Sequence, residues 1–201
     1  FDPAEELVST WSPDGSRVIF DSRRKGHLDL YQKASSGAGT EEALIEDSLD
    51  KVSLSWSPDG RFILYTTGNA TPRTGNDLFV LPLSGERKPA LFLRTQFSER
   101  FGQFSPDGRW VAYDSNESGR YEVYVAPFPG PGGKWQISTA GGNYPRWRRD
   151  GAEIFYLAPD NNLMAATVNG KGGSFEVGAV KPLFQVRALT GQRYPYAVSA
   201  D

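Results

Sequence analysis

Trp11-Ser12-Pro13-Asp14-Gly15 decides how the chain is read, because it returns as Trp56-Ser57-Pro58-Asp59-Gly60 and as Phe104-Ser105-Pro106-Asp107-Gly108. A worn copy follows at Trp147-Arg148-Arg149-Asp150-Gly151, and Val198-Ser199-Ala200-Asp201 opens as a fifth. The aspartates stand at positions 14, 59, 107, 150 and 201, in steps of 45, 48, 43 and 51 residues. A period of that size signals a propeller or solenoid rather than one irregular domain.

Each residue type in the motif has a turn-forming job. Proline presets φ for the second position of a type I turn, aspartate bonds the backbone beside it, and glycine takes the left-handed position that strains a residue with a Cβ. This is the chemistry of a tight β-hairpin closed by a bulge. The aromatic ahead of each turn is expected to pack on a neighbouring sheet, which makes Trp11, Trp56, Phe104 and Trp147 core anchors. Beyond each glycine, a β-branched residue and an aromatic two places later share one strand face: Val18 and Phe20, Ile63 and Tyr65, Val111 and Tyr113, Ile154 and Tyr156. A third strand follows at Asp29-Leu30-Tyr31, Asp77-Leu78-Phe79, Glu122-Val123-Tyr124 and Asn162-Leu163-Met164. Short apolar runs supply a fourth, at Ala43-Leu44-Ile45, Ala90-Leu91-Phe92-Leu93, Trp135-Gln136-Ile137 and Leu183-Phe184. The first strand lies just ahead of each anchor, as at Val52-Ser53-Leu54-Ser55.

Four strands in a unit of about 45 residues make a propeller blade. The expected fold is all-β: a β-propeller of four-stranded blades at approximately 1–48, 49–95, 96–140 and 141–188, with 189–201 starting a further blade, in one repeat array over 1–201. No stretch keeps apolar spacing of three and four over ten residues, so helix is expected to be scarce.

Composition narrows the function. The 201 residues carry 22 basic and 24 acidic side chains, a formal net charge of −2, without the basic excess of a non-specific nucleic-acid binder. With no cysteine there is no disulfide framework, thiol chemistry or cysteine-held zinc. No apolar run approaches the 18 or more residues of a membrane-spanning helix. The P-loop, dinucleotide-binding and protein-kinase motifs are absent, and no G-x-S-x-G elbow is present to arm a serine. Asp160-Asn161-Asn162 and Gly75-Asn76-Asp77 hold oxygens but lack the spacing of a calcium loop. No cofactor, metal or catalytic residue is expected.

The WSPDG turn, the aliphatic-aromatic second strand and the Asp-Leu-Tyr third strand resemble TolB-like, WD-repeat-like bacterial β-propeller repeats over nearly the whole chain. Ala126-Pro127-Phe128-Pro129 and Tyr144-Pro145-Arg146-Trp147 also look like the C-terminal propellers of bacterial serine/threonine kinases and winged-helix regulators. The resemblance implies a non-catalytic protein-interaction or ligand-sensing module, in the periplasm or another extracytoplasmic space, with the cytoplasm left open. It leaves two alternatives: the propeller of a prolyl-oligopeptidase-like or sugar-processing enzyme, and a TolB-like periplasmic translocation component. TolB-like propellers usually have six or more blades, so a partial array is expected, with self-association through its open ends.

Strand alternation sorts the loops. The SPDG turns share a rim with the loops between strands three and four, and the opposite rim carries the loops between strands two and three and the blade crossings. On that crossing rim Arg23, Arg24, Lys25, His27, Arg100 and Arg193 are the candidate contacts for a protein partner or small anionic ligand, beside Arg73, Arg94, Arg120 and Arg187. Acids on the same rim are Glu46, Asp47, Asp50, Glu99, Glu117 and Asp160.

Overall fold

The computed structural model describes residues 6–71, 75–130, 132–187 and 195–199. The chain divides into two compact units, Phe1–Arg100 and Phe101–Asp201. In the first unit, β1 (Glu6–Trp11), β2 (Arg17–Ser22), β3 (Asp29–Ala34) and β4 (Glu42–Ile45) form one sheet in chain order. A second sheet there is made of β5 (Lys51–Trp56), β6 (Phe62–Thr71), β7 (Gly75–Pro82) and β8 (Ala90–Leu93).

In the second unit the sheets are β9 (Glu99–Phe104) to β12, with β10 (Trp110–Ser115), β11 (Glu122–Pro127) and β12 (Trp135–Gln136), and β13 (Asn143–Trp147) to β16, with β14 (Glu153–Leu157), β15 (Asn162–Asn169) and β16 (Glu176–Gln185). Strand pairing is antiparallel within the blades, as in β2–β3, β6–β7, β10–β11 and β14–β15. The one helical element among the described residues is a 3-10 turn at Lys171–Gly173. The fold is therefore the all-β, four-stranded-blade architecture of a propeller.

The repeated turn folds as its residues dictate. The Gly15 N–H donates to the Ser12 carbonyl at 2.9 Å and the Ser12 N–H to Arg17 O, while Gly15 sits at φ +70. The Ser12 hydroxyl donates to Asp14 Oδ1 at 2.6 Å and accepts from the Arg17 N–H at 2.9 Å. Ser57 with Asp59, and Ser105 with Asp107, repeat this network. In the worn copy the guanidinium of Arg148 takes over, with Nε and Nη2 each 2.7 Å from an Asp150 oxygen.

Two apolar clusters lie between paired sheets, one in each unit. Trp56 and Ile63 of the second sheet pack on Ile19, Leu30 and Ile45 of the first. In the second unit Ile154, Tyr156 and Val168, with Trp147 at the edge, pack on Ala112, Val123 and Ile137. Trp11 departs from the anchor reading: it is 59% exposed against 6% for Trp56, because no described sheet covers the β1 side of its blade. Of the expected opening strand at 189–201, residues 188–194 and 200–201 lie outside the described residues, and the described 195–199 form no strand. There the Tyr196 hydroxyl donates to the carbonyl of Tyr144 at 2.7 Å.

Candidate functional site

The crossing rim of the first unit gathers Arg23, Arg24 and Lys25 and supplies each with a counter-ion. Arg23 Nη2 lies 3.1 Å from Asp50 Oδ2, and Lys25 Nζ 2.8 Å from Glu46 Oε1. Arg24 pairs with Glu41 and lies over the Tyr31 ring, 4.3 Å from its centroid. His27 is half exposed, its Nδ1 3.9 Å from Asp50 Oδ1. The Leu28 N–H, then Arg23, hold Asp50 below the usual carboxylate range against the cost of partial burial. Arg94 pairs with the buried Asp77 at 2.8 Å, and Arg120 with Glu122 at 2.8 Å. Arg100 is half-buried on β9 and Arg187 is exposed, while Arg73 and Arg193 lie outside the described residues. The Arg23–Lys25 surface is thus charge-balanced, and a ligand there would have to exchange existing ion pairs.

Sequence reasoning missed the buried acids that lock successive blades together. Asp21 Oδ1, at the end of β2, accepts from both the N–H and the hydroxyl of Ser53 on β5, at 2.9 and 2.8 Å. Asp114 holds the equivalent place on β10 and accepts from the Tyr144 N–H on β13 at 3.3 Å. The acid that opens the third strand has its own task. Asp29 takes the ammonium of Lys51 at 2.9 Å, and Glu122 takes the Gly141 N–H at 2.8 Å and the Ser138 hydroxyl. These groups fasten the crossing segments, so the recurring carboxylates have structural partners.

The opposite rim of the second unit holds a cleft of about 600 Å³, on the side the sequence reading had given only to turns. Its walls are the Ser105–Asp107 turn, the Asp150–Ala152 turn and the Asn169–Lys171 segment, with Trp110 and Trp147 between them. Beneath lies an aromatic cluster: Phe175 meets Trp110 at 4.9 Å and Trp147 at 6.2 Å between ring centroids, both edge to face. The Gly170 carbonyl fixes one wall by accepting from Arg109 Nη2 at 2.8 Å and Trp110 Nε1 at 3.2 Å. Only glycine fits there, since a Cβ would stand 2.5 Å from Trp110 Nε1.

The cleft's carboxylates are committed. Arg148 and the Ala152 N–H hold Asp150 down to about 2. For Asp107 burial works the other way, but Ser105 and Arg109 outweigh it and keep the group ionised. Lys171 is exposed and makes no ion pair among the described residues. The cleft thus offers the Trp110 and Trp147 rings among polar turns, with the uncommitted cation of Lys171 in its lining. The signal in the sequence was the lone lysine among glycines at Gly170-Lys171-Gly172-Gly173.

Four-stranded antiparallel blades with inter-blade aromatic anchors define the fold as that of a β-propeller. No protein-family model and no curated protein matches the sequence. Solved structures do. A TolB from Agrobacterium tumefaciens shares 19% identity at a TM-score of 0.68, over 83% of this chain and 62% of that one. TolB from Acinetobacter baumannii shares 21% at 0.67, over 87% and 43%. A puromycin-hydrolysing peptidase of Mycobacterium tuberculosis shares 16% at 0.64, over 87% and 31%. The chain thus spans less than two thirds of the length of each. No described helix is long and apolar enough to cross a membrane.

Proposed function

We propose that the chain is a non-catalytic interaction module, its four sheets working as one repeat array, and that it takes a ligand or partner segment in the cleft of the second unit. The observation that carries this reading is the pairing of an aromatic floor with the uncommitted ammonium of Lys171. Concave sites that combine aromatic surface with fixed polar groups are a usual form of recognition pocket, and the cleft mixes the two. The ligand class that fits is a short segment or small molecule bearing a carboxylate beside an apolar or aromatic group. Carboxylates such as Asp14, Asp107 and Asp150 are held low by fixed donors, the reverse of a poised general acid. The crossing-rim group Arg23, Arg24, Lys25, His27 and Arg100 is the secondary surface, open to an anionic partner only by ion-pair exchange. An extracytoplasmic, TolB-like setting goes with this reading.

A random-peptide phage library selected on the wild-type chain and on Lys171→Glu tests it. Enrichment of acidic, aromatic sequences on the wild type alone is the expected result. Equal enrichment on both, or none on either, sinks the cleft as the recognition site. A second reading draws on the peptidase likeness: a propeller whose catalytic domain lies elsewhere in a longer coding frame. A G-x-S-x-G elbow in the flanking coding sequence would decide for it.

A further inference from the structure

We propose that Asn169 is a self-modifying site, at which the Gly170 nitrogen displaces the side-chain ammonia and a carboxylate is left in the wall of the cleft. Asn169 is the one asparagine of the chain followed by glycine. Elsewhere the next residue carries a side chain that crowds its own nitrogen, as at Asn76-Asp77, Asn116-Glu117 and Asn143-Tyr144. Glycine leaves that nitrogen open to close approach. Packing, not backbone conformation, demands the glycine: its φ is −105, which any residue adopts, while a Cβ would stand 2.5 Å from Trp110 Nε1. The Asn-Gly pair is therefore built into the cleft wall.

The side chain is set for the step. Asn169 is exposed at the end of β15, and its Oδ1 accepts the Lys171 N–H at 3.2 Å. Such an Asx turn curls the side chain forward along the backbone, over the peptide whose nitrogen attacks. The Lys171 N–H also faces the oxygen on which charge develops in the tetrahedral intermediate. The leaving nitrogen of Asn169 makes no hydrogen bond among the described residues, whereas that of Asn162 is held by Asp160 at 2.7 Å. In the step, the Gly170 nitrogen bonds to Asn169 Cγ and gives its proton to water, while the Cγ–Nδ2 bond breaks and ammonia leaves. Water then opens the cyclic imide at Cγ to give aspartate, or at the main-chain carbonyl to give isoaspartate. Either product adds one negative charge, so the Asn169–Lys171 wall goes from a single positive charge to none. Asn169 lies in register opposite Glu176, and like charges directly opposite on paired strands loosen the end of the β15–β16 hairpin. Isoaspartate also lengthens the backbone ahead of Gly170, whose carbonyl holds Arg109 and Trp110 at 2.8 and 3.2 Å. The consequence for binding rests on the cleft being the recognition site; the chemical step does not.

Peptide mass spectrometry tests the step on the full wild-type chain aged folded in mildly alkaline buffer, on the same chain aged in urea, and on Asn169→Gln aged folded. The folded wild type is expected to gain the amide-to-acid mass shift at Asn169 ahead of every other asparagine, as a separable aspartate and isoaspartate pair. Asn169→Gln loses the shift at that position. A shift at Asn169 no earlier than elsewhere, or found only in urea, overturns the proposal. So does aspartate alone, which would mean direct hydrolysis without the imide. The phage selection is then repeated on the aged wild type and on Asn169→Asp, and both are expected to lose the acidic sequences that the fresh chain enriches. Retention of those sequences overturns the charge change as a control of the cleft. A mass shift at Asn169 with no enrichment on the fresh chain upholds the modification and removes the cleft reading alone.

Discussion

Replacing Lys51 by methionine tests the crossing between the first two blades. Lys51 is 1% exposed and its ammonium has three acceptors for its three protons: Asp29 Oδ1 at 2.9 Å, Asp47 Oδ1 at 2.7 Å and Leu49 O at 2.7 Å. Asp29 is 2% exposed, and without Lys51 its Oδ1 keeps the Asp47 N–H at 3.3 Å. Methionine fills the volume but leaves a buried carboxylate without its cation, a change that costs about 3–5 kcal/mol. Asp47 is half exposed and contributes little of this, so about 3 kcal/mol is expected for Lys51→Met. The double variant Lys51→Met with Asp29→Leu removes both charges and is expected within about 1 kcal/mol of the wild type. Urea unfolding at neutral pH, followed by tryptophan fluorescence, measures Lys51→Met, Asp29→Leu and the double variant, and from them the coupling. A single Lys51→Met variant within about 1 kcal/mol of the wild type refutes the reasoning. So does a double variant as unstable as the two singles combined.

Trp56→Ala is expected to cost about 3–5 kcal/mol, whereas Trp11→Ala, at the same motif position but exposed, stays within about 0.5 kcal/mol in a dilute chain; urea titration compares them. Ser57→Ala removes the bond to Asp59 at 2.6 Å and the acceptor of the Phe62 N–H at 2.9 Å, so a loss of about 1–2 kcal/mol is expected by the same measurement. Gly170→Ala drives a Cβ into Trp110, and a cost of about 1–3 kcal/mol is expected, with a blue or red shift of tryptophan emission marking the moved ring. Asp14 and Asp150 are held down to about 2 in the folded chain, so the unfolded chain binds protons first as the pH falls. Their contribution is complete above the ordinary carboxylate range near 4 and lost between there and about 2. Thermal melts over that window should fall more steeply for the wild type than for Asp150→Asn, and parallel curves would remove Asp150 from the account.

How far the sequence speaks depends on how far a residue's partner is along the chain. The SPDG turn was fully legible, because Ser12, Asp14 and Arg17 satisfy one another within six residues, and the same distances recur at Ser57 and Ser105. Strand order and the fourth-strand runs were legible for the same reason, although β16 extends over ten residues where Leu183-Phe184 alone had been read. The site was not legible. The cations at Arg23, Arg24 and Lys25 are visible as a cluster, but their neutralisation by Asp50, Glu41 and Glu46 comes from residues 17 to 27 positions away, which only the crossing brings near. Asp21 and Asp114 show the limit more sharply. Thr66 holds their place on β6, yet its hydroxyl turns back to the carbonyl of Asp77 within its own blade, and Leu157 holds it on β14 with no polar group at all. The position therefore carries no repeating signature, since Asp21 and Asp114 answer what the next inner strand presents, a serine hydroxyl and amide at Ser53 and an amide at Tyr144. Blade chemistry and the aromatic anchors are periodic because each blade solves the same local problem, whereas the polar contacts between blades differ, as Asp21 with Ser53 and Asp114 with Tyr144 show. A cleft formed between blades, such as the one beside Trp110 and Trp147, draws its lining from both, and a single repeat read alone cannot display it.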